Sequence, residues 1–196
     1  MISFAPYSAQ EASMGDSYIT LVPERLGIDP AEQAAMEKRM VGWMQENGWI
    51  EKEKSDCVFT EGGGWRFTPS GSLHMAGDTD RGLSTYGFGV QKHDGKGVFT
   101  NLEGGLESAH CPACGKDVER YFYDMVSDWY EADGFPPVKC PLCGAASDIR
   151  NYRLDPLWGF SRIGFEFWNM GPLTPEFVEE FTAMPGEPVR VVRAHI

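Results

Sequence analysis

The sequence predicts an α+β fold: one antiparallel sheet with two helices against a single face, interrupted late in the chain by a separate module. Three observations carry this expectation. Strand-like segments flank a well-punctuated helix in the first third of the 196 residues. The same strand–helix–strand order returns at the end of the chain. Between the two lies a stretch with its own cysteine pattern and its own helical periodicity.

Taken in order, "SYITLV" (17–22) reads as a strand, rich in β-branched and aromatic residues. A helix follows over about 30–47. Asp29 suits the N-cap, Pro30 the first helical position, and Glu32 the carboxylate of a capping box. Met36, Met40, Trp43 and Met44 recur at helical spacing, and Gly48 offers a left-handed stop. "GWRFTPS" (64–70) reads as a second strand. The glycines of "EGGGW" are not followed by Gly-Lys-Ser/Thr, so they predict a loop rather than a phosphate cradle. "STYGFGVQK" and "GVFTNLE" flank "HDGKG", which predicts a hairpin. Near the end, "FSRIGFEFW" (160–168) reads as a strand. Thr174 and Pro175 open a short helix through "EFVEEF". "PVRVVRAHI" closes as an apolar strand expected to be covered on both faces. Two such units, one at each end, predict a split βαβ sheet that is ferredoxin-like in outline. The core domain is then 1–106 with 151–196, and 107–150 is an insertion.

The balance of 17 basic against 29 acidic residues sets a formal charge of −12. None of the segments 1–56, 57–105, 106–150 and 151–196 is net positive, so no basic face is evident to neutralise phosphates, and nucleic acid is not an expected partner. The start, "MISFAPYSAQEASMGDS", lacks the basic and apolar regions of a secretion signal. No stretch approaches the ~18 apolar residues of a membrane span. The expected setting is the cytoplasm, with no membrane partner.

Cys111 and Cys114, then Cys140 and Cys143, form two C-x2-C pairs separated by 25 residues. Two residues between cysteines let both sulfurs face one ion from a single tight turn. Gly115 and Gly144 can take the positive φ such a turn needs and leave backbone N–H groups free to approach the thiolates. Two such turns complete a tetrahedral shell of four sulfurs. The C-P-x-C-G run at 111–115 and again at 140–144 resembles the knuckles of the zinc-ribbon families, and the likeness is confined to 107–150. It implies one structural Zn²⁺ held by Cys111, Cys114, Cys140 and Cys143. In small isolated modules such an ion contributes on the order of 10–16 kcal/mol. Two other chemistries compete. Rubredoxins pair the same knuckles around iron, and ligand softness does not separate the two metals. Dithiol redox chemistry is the third, although two equivalent knuckles suit a shared ion better than a redox pair does. With four thiols present, His110 is surplus as a ligand. Within the spacer, Val118, Phe122, Met125, Val126 and Trp129 recur at helical intervals with Asp117 as a cap, predicting a helix that docks the module. The rest of the chain, through "GFEFWNMGPLTPEFVEEF" and its terminal strand, is similar to an uncharacterised bacterial domain family. That likeness implies no activity.

No catalytic motif with a local signature is present. His74, Asp78 and Asp80 share the stretch "LHMAGDTDRG", read as one loop. His93 belongs to the suspected hairpin turn and His195 to the last strand. Cys57 reads as a small buried residue, and Glu179 and Glu180 are neighbours that do not share a helix face. The expected function is therefore a zinc-stabilised acidic interaction or adaptor protein, immunity- or inhibitor-like, that binds a protein partner. The alternative is an enzyme with its pocket between sheet and metal module. No residue is assigned a catalytic role.

Overall fold

Local chemistry starts each helix of the protein, for which the computed structural model describes residues 15–77, 82–101 and 104–196. After strand β1 (Ser17–Pro23), Asp29 Oδ1 accepts the Glu32 N–H at 2.8 Å and the Asp29 N–H donates to Glu32 Oε2 at 3.1 Å, which closes the capping box of α1 (Pro30–Glu46). Gly48 follows the helix with φ of 69°, the predicted stop. The next strand, β2, covers only Trp65–Arg66 rather than 64–70. Thr68 instead caps α2 (Pro69–Ala76), accepting the Gly71 N–H at 3.0 Å. Gly71 lets this helix lie on the backbone of Trp49, where a Cβ would come within 2.2 Å of the carbonyl. His74 thus sits on a helix, not in a loop. Asp78 and Asp80 lie outside the described residues.

The chain continues through β3 (Gly87–Lys92), β4 (Val98–Phe99), β5 (Ser108–His110), α3 (Glu119–Glu131), β6 (Val138–Lys139) and β7 (Ala146–Ser147). It returns through β8 (Arg153–Asp155), β9 (Gly159–Phe160) and β10 (Ile163–Trp168), then α4 (Pro175–Ala183) and β11 (Val189–His195). Thr174 caps α4 as expected, accepting the Phe177 N–H at 3.2 Å.

Five strands form one sheet in the order β11-β1-β10-β3-β2, each neighbour antiparallel. Alternation along the strands sends Ile19, Leu21, Phe88, Val90, Ile163, Phe165 and Phe167 to one face. There they form a single core with Met36, Met40 and Met44 of α1, Met75 of α2, and Phe177 and Phe181 of α4. Three helices therefore contribute to this core, one more than expected, because the start of α2 was read as the end of a strand and its remainder as a loop. Val189 and Val191 of β11 pack partly on that side, while Val192 and Ala194 are buried on the other, so this edge strand is partly covered on both faces.

The predicted hairpin across "HDGKG" does not form. Strand β3 pairs with β10 and β2, whereas β4 pairs with β9. Between β3 and β10 the outgoing and returning chains stay in nested antiparallel register: β3 on β10, β4 on β9, β5 on β8. The turn residue Lys96 serves a different purpose. It is buried, and its Nζ donates to the carbonyls of Trp129 and Ala132 at the end of α3, 4.9 Å from the Trp129 ring centroid. A cation there satisfies carbonyls the helix leaves open and complements its dipole. Burial lowers the Lys96 pKa, an effect that nearby Asp133 opposes.

A second core surrounds α3. Phe122, Met125 and Trp129 on its inner side join Val118, Ile149, Tyr152, Leu154, Trp158 and Phe160, so the spacer stripe is buried. Asp117 lies one residue before the cap position, held by Val118. Its Oδ1 accepts the N–H groups of Glu119 and Ala109, both at 3.0 Å, and these bonds hold its pKa below the usual carboxylate value.

Candidate metal centre

Each cysteine pair sits on a tight turn closed by the same backbone bonds. In the first, the Gly115 N–H donates to the Cys111 carbonyl at 2.9 Å and the Cys111 N–H to Lys116 at 3.0 Å. In the second, the Gly144 N–H donates to Cys140 at 2.8 Å and the Cys140 N–H to Ala145 at 2.9 Å. Gly115 and Gly144 have φ of 69° and 74°, the left-handed backbone that a residue with a Cβ resists. The knuckles are structural copies. The first follows β5 and the second spans the β6–β7 pair, with α3 between them.

The turns bring the sulfurs of Cys111, Cys114, Cys140 and Cys143 within 4.8 Å of one another. Cys111 Sγ lies 3.9 Å from Cys143 Sγ, far beyond the ~2.05 Å of a disulfide. Four sulfurs about 2.3 Å from a central zinc form a tetrahedron with edges of about 3.8 Å, so the donor set fits a four-coordinate ion. Cys111 and Cys140 are buried, Cys114 is half-buried and Cys143 is exposed.

Electrostatics separate the thiols. N–H groups of Cys114 and Ala113 approach Cys111, the latter at 3.4 Å, and bring its pKa down to about 7 against some desolvation. The Ala145 N–H favours the Cys143 thiolate as well, but desolvation and the other three thiols outweigh it and raise Cys143 to about 11. Four thiols this close resist joint ionisation unless a cation compensates them. Tyr152 adds a second sign of fit. Among the described residues its buried hydroxyl has no well-formed hydrogen bond, the Cys111 sulfur being the acceptor within reach, and its pKa is pushed well above the phenol value by burial first and then by Cys111, Cys140 and Cys143. A buried O–H among sulfurs has a natural acceptor once those sulfurs carry charge.

The remaining candidates are dispersed. His110 Nδ1 stands 3.2 Å from the Gly115 carbonyl and braces the first knuckle without joining the sulfurs. His74 stacks on Trp49 at 4.3 Å and meets Glu180 Oε2 at 2.9 Å. His93 packs edge-on to Phe99 at 5.2 Å on the sheet face opposite the helices. His195 Nδ1 faces Ser17 Oγ at 2.8 Å. Cys57 is buried, its sulfur standing where a Cβ on Gly87 would come within 2.4 Å. Sequence reading missed Tyr152, Lys96 and Glu166. Glu166 left a signal, a lone carboxylate inside the apolar strand "IGFEFW".

Two cavities, of about 840 and 590 Å³, lie along α1 and on the helix-free face of the sheet. Neither is lined by any residue of 107–150. Among the described residues no helix is long and apolar enough to cross a membrane. No protein-family model, curated protein or solved structure matches the chain, so the geometry of its own residues carries the functional reading.

Proposed function

We propose that Cys111, Cys114, Cys140 and Cys143 hold one Zn²⁺ as a structural brace, in an inserted module (107–150) on a ferredoxin-like core (1–106 and 151–196). The convergence of four sulfurs within 4.8 Å carries this reading. The order β11-β1-β10-β3, with the extra chain leaving between β3 and β10, supports the insertion. Bound zinc supplies charge neutralisation and a cross-link; with four thiolates around it no position is open to substrate. The protein's own residues do the rest. Gly115 and Gly144 make the turns, backbone N–H groups favour the thiolates, and Tyr152 is placed to donate to sulfur.

On this brace the chain acts as an acidic cytoplasmic interaction protein. Its charge of −12 and the outward side of α3, where Tyr123, Asp124, Tyr130 and Glu131 are exposed, support a basic protein partner. Hydrogen exchange with and without a chelator tests the brace: protection is lost across 107–150 while β1, β3, β10 and β11 keep theirs. Uniform loss over the whole chain sinks it. For the partner, a capture that survives Asp124→Lys with Glu131→Lys unchanged removes the α3 surface from the reading.

A further inference from the structure

On the sheet face opposite the helices, β3 contributes Gly87 and Gly89, and the 57–60 segment lies over them. A Cβ on Gly89 would come within 2.1 Å of Thr60 Oγ1 and 3.4 Å of Glu166 Oε2, so the glycine leaves the space in which these two meet. Thr60 Oγ1 donates to Glu166 Oε2 at 2.6 Å, and Trp168 Nε1 donates to the same oxygen at 2.9 Å. Glu166 is 2% exposed, and among the described residues no lysine, arginine or histidine forms an ion pair with it. A buried carboxylate is normally paired with a cation. Here it has two neutral donors on one oxygen and lines the cavity of about 590 Å³, within the size range of small-molecule sites.

Aromatic rings surround it. Tyr18 stacks on Trp168 at 4.3 Å and Phe59 meets Trp168 edge-on at 5.3 Å; Phe59 is 62% exposed, an apolar ring left at the cavity wall. Rings beside a carboxylate favour cations over neutral molecules of the same shape. The other charged groups agree. Lys92 lines the cavity, but its ammonium is tied to Glu37 at 2.5 Å, and Glu61 adds negative charge. Burial lowers the His93 pKa, so its ring is a neutral hydrogen-bonding group at pH 7.

We propose that this cavity binds a small organic cation, an ammonium or guanidinium group on an apolar body, with Glu166 as its counter-ion and Tyr18, Phe59 and Trp168 as its aromatic wall. The site is independent of the cysteine centre and lies on the other side of the sheet from the helical core.

Proton–nitrogen NMR of the tryptophan indoles tests it on the full chain, with the Trp168 signal assigned by its loss in Trp168→Phe. The probes are benzylammonium, agmatine and choline, with benzyl alcohol and benzoate as neutral and anionic controls. At least one cation shifts the Trp168 signal saturably, and the controls do not. Glu166→Gln keeps both hydrogen bonds available to its amide oxygen and weakens that cation about 10- to 100-fold. Phe59→Ala, which alters an exposed ring, weakens it less. Three results each overturn the site: no cation saturates, benzyl alcohol binds as well as the cations, or a folded Glu166→Gln binds them like the wild type.

Discussion

Cys111 Sγ and Cys143 Sγ, 32 residues apart in the chain, stand 3.9 Å from each other. The distance links the first cysteine of one knuckle to the last of the other, so the sulfur cluster draws on both turns. Cys111→Ser and Cys143→Ser should each abolish stoichiometric metal, a larger loss than the ~10- to 100-fold typical of an outer partner. Elemental analysis of the purified variants checks this. Retention of a full equivalent by either variant would remove that thiol from the ligand set.

Tyr152 separates the loaded from the empty centre. Among the described residues its buried hydroxyl has no well-formed hydrogen bond while the Cys111 sulfur within its reach is uncharged, and an unsatisfied buried hydroxyl costs about 1–3 kcal/mol. Tyr152→Phe should therefore stabilise the chelated protein while weakening zinc retention about tenfold. Melting with and without chelator, together with competition against a chromophoric chelator, reads the two opposite signs. A change of the same sign in both states would mean the hydroxyl does not serve the sulfurs.

Lys96 ties the turn after β3 to the end of α3 through the Trp129 and Ala132 carbonyls. Lys96→Met keeps the apolar stem and removes the charge. It should cost about 2 kcal/mol, in the range for hydrogen bonds to charged groups, with lost protection concentrated at residues 128–132. Denaturant melts and hydrogen exchange measure both. An unchanged melt would show that the carbonyls find other donors.

Burial raises the Glu166 pKa above its ordinary 4.5, against the hydrogen bonds from Thr60 and Trp168. The folded protein therefore holds this proton more tightly than the unfolded chain does. The stability this lends is complete below the unfolded pKa and is lost as pH rises through the folded one. Glu166→Gln mimics the protonated form, so it should be more stable than the wild type at pH 7–8, with the difference shrinking as pH falls toward 4.5. Tyr18, Glu61, Lys92 and His93 share the cavity and are unchanged in both proteins. The difference between their melting curves isolates Glu166, and a difference that grows on acidification would reverse the assigned shift.

What the sequence disclosed follows the range of the interactions involved. The capping box of Asp29 and Glu32, the Thr174–Pro175 helix start and the two glycine-stopped knuckles are all written within five residues, and each was legible. Helix α2 has the same Thr-Pro start at Thr68 and Pro69. It is only eight residues long and contains Gly71, whose fit against Trp49 depends on tertiary packing. The pairing of β3 with β10 in place of β4 is also non-local. A turn sequence such as "HDGKG" is compatible with a hairpin but does not choose the partner strand. Glu166 needs Thr60 from a loop 106 residues away, so its setting had no local signature beyond a charge in an apolar strand.

The central claim is that the four thiols exist to hold one structural zinc. Elemental analysis of wild-type protein expressed without added metal, read with its visible spectrum, tests it most directly. The account predicts one zinc per chain in a colourless protein. A metal-free protein with four freely reactive thiols, or a red one carrying iron, would contradict it.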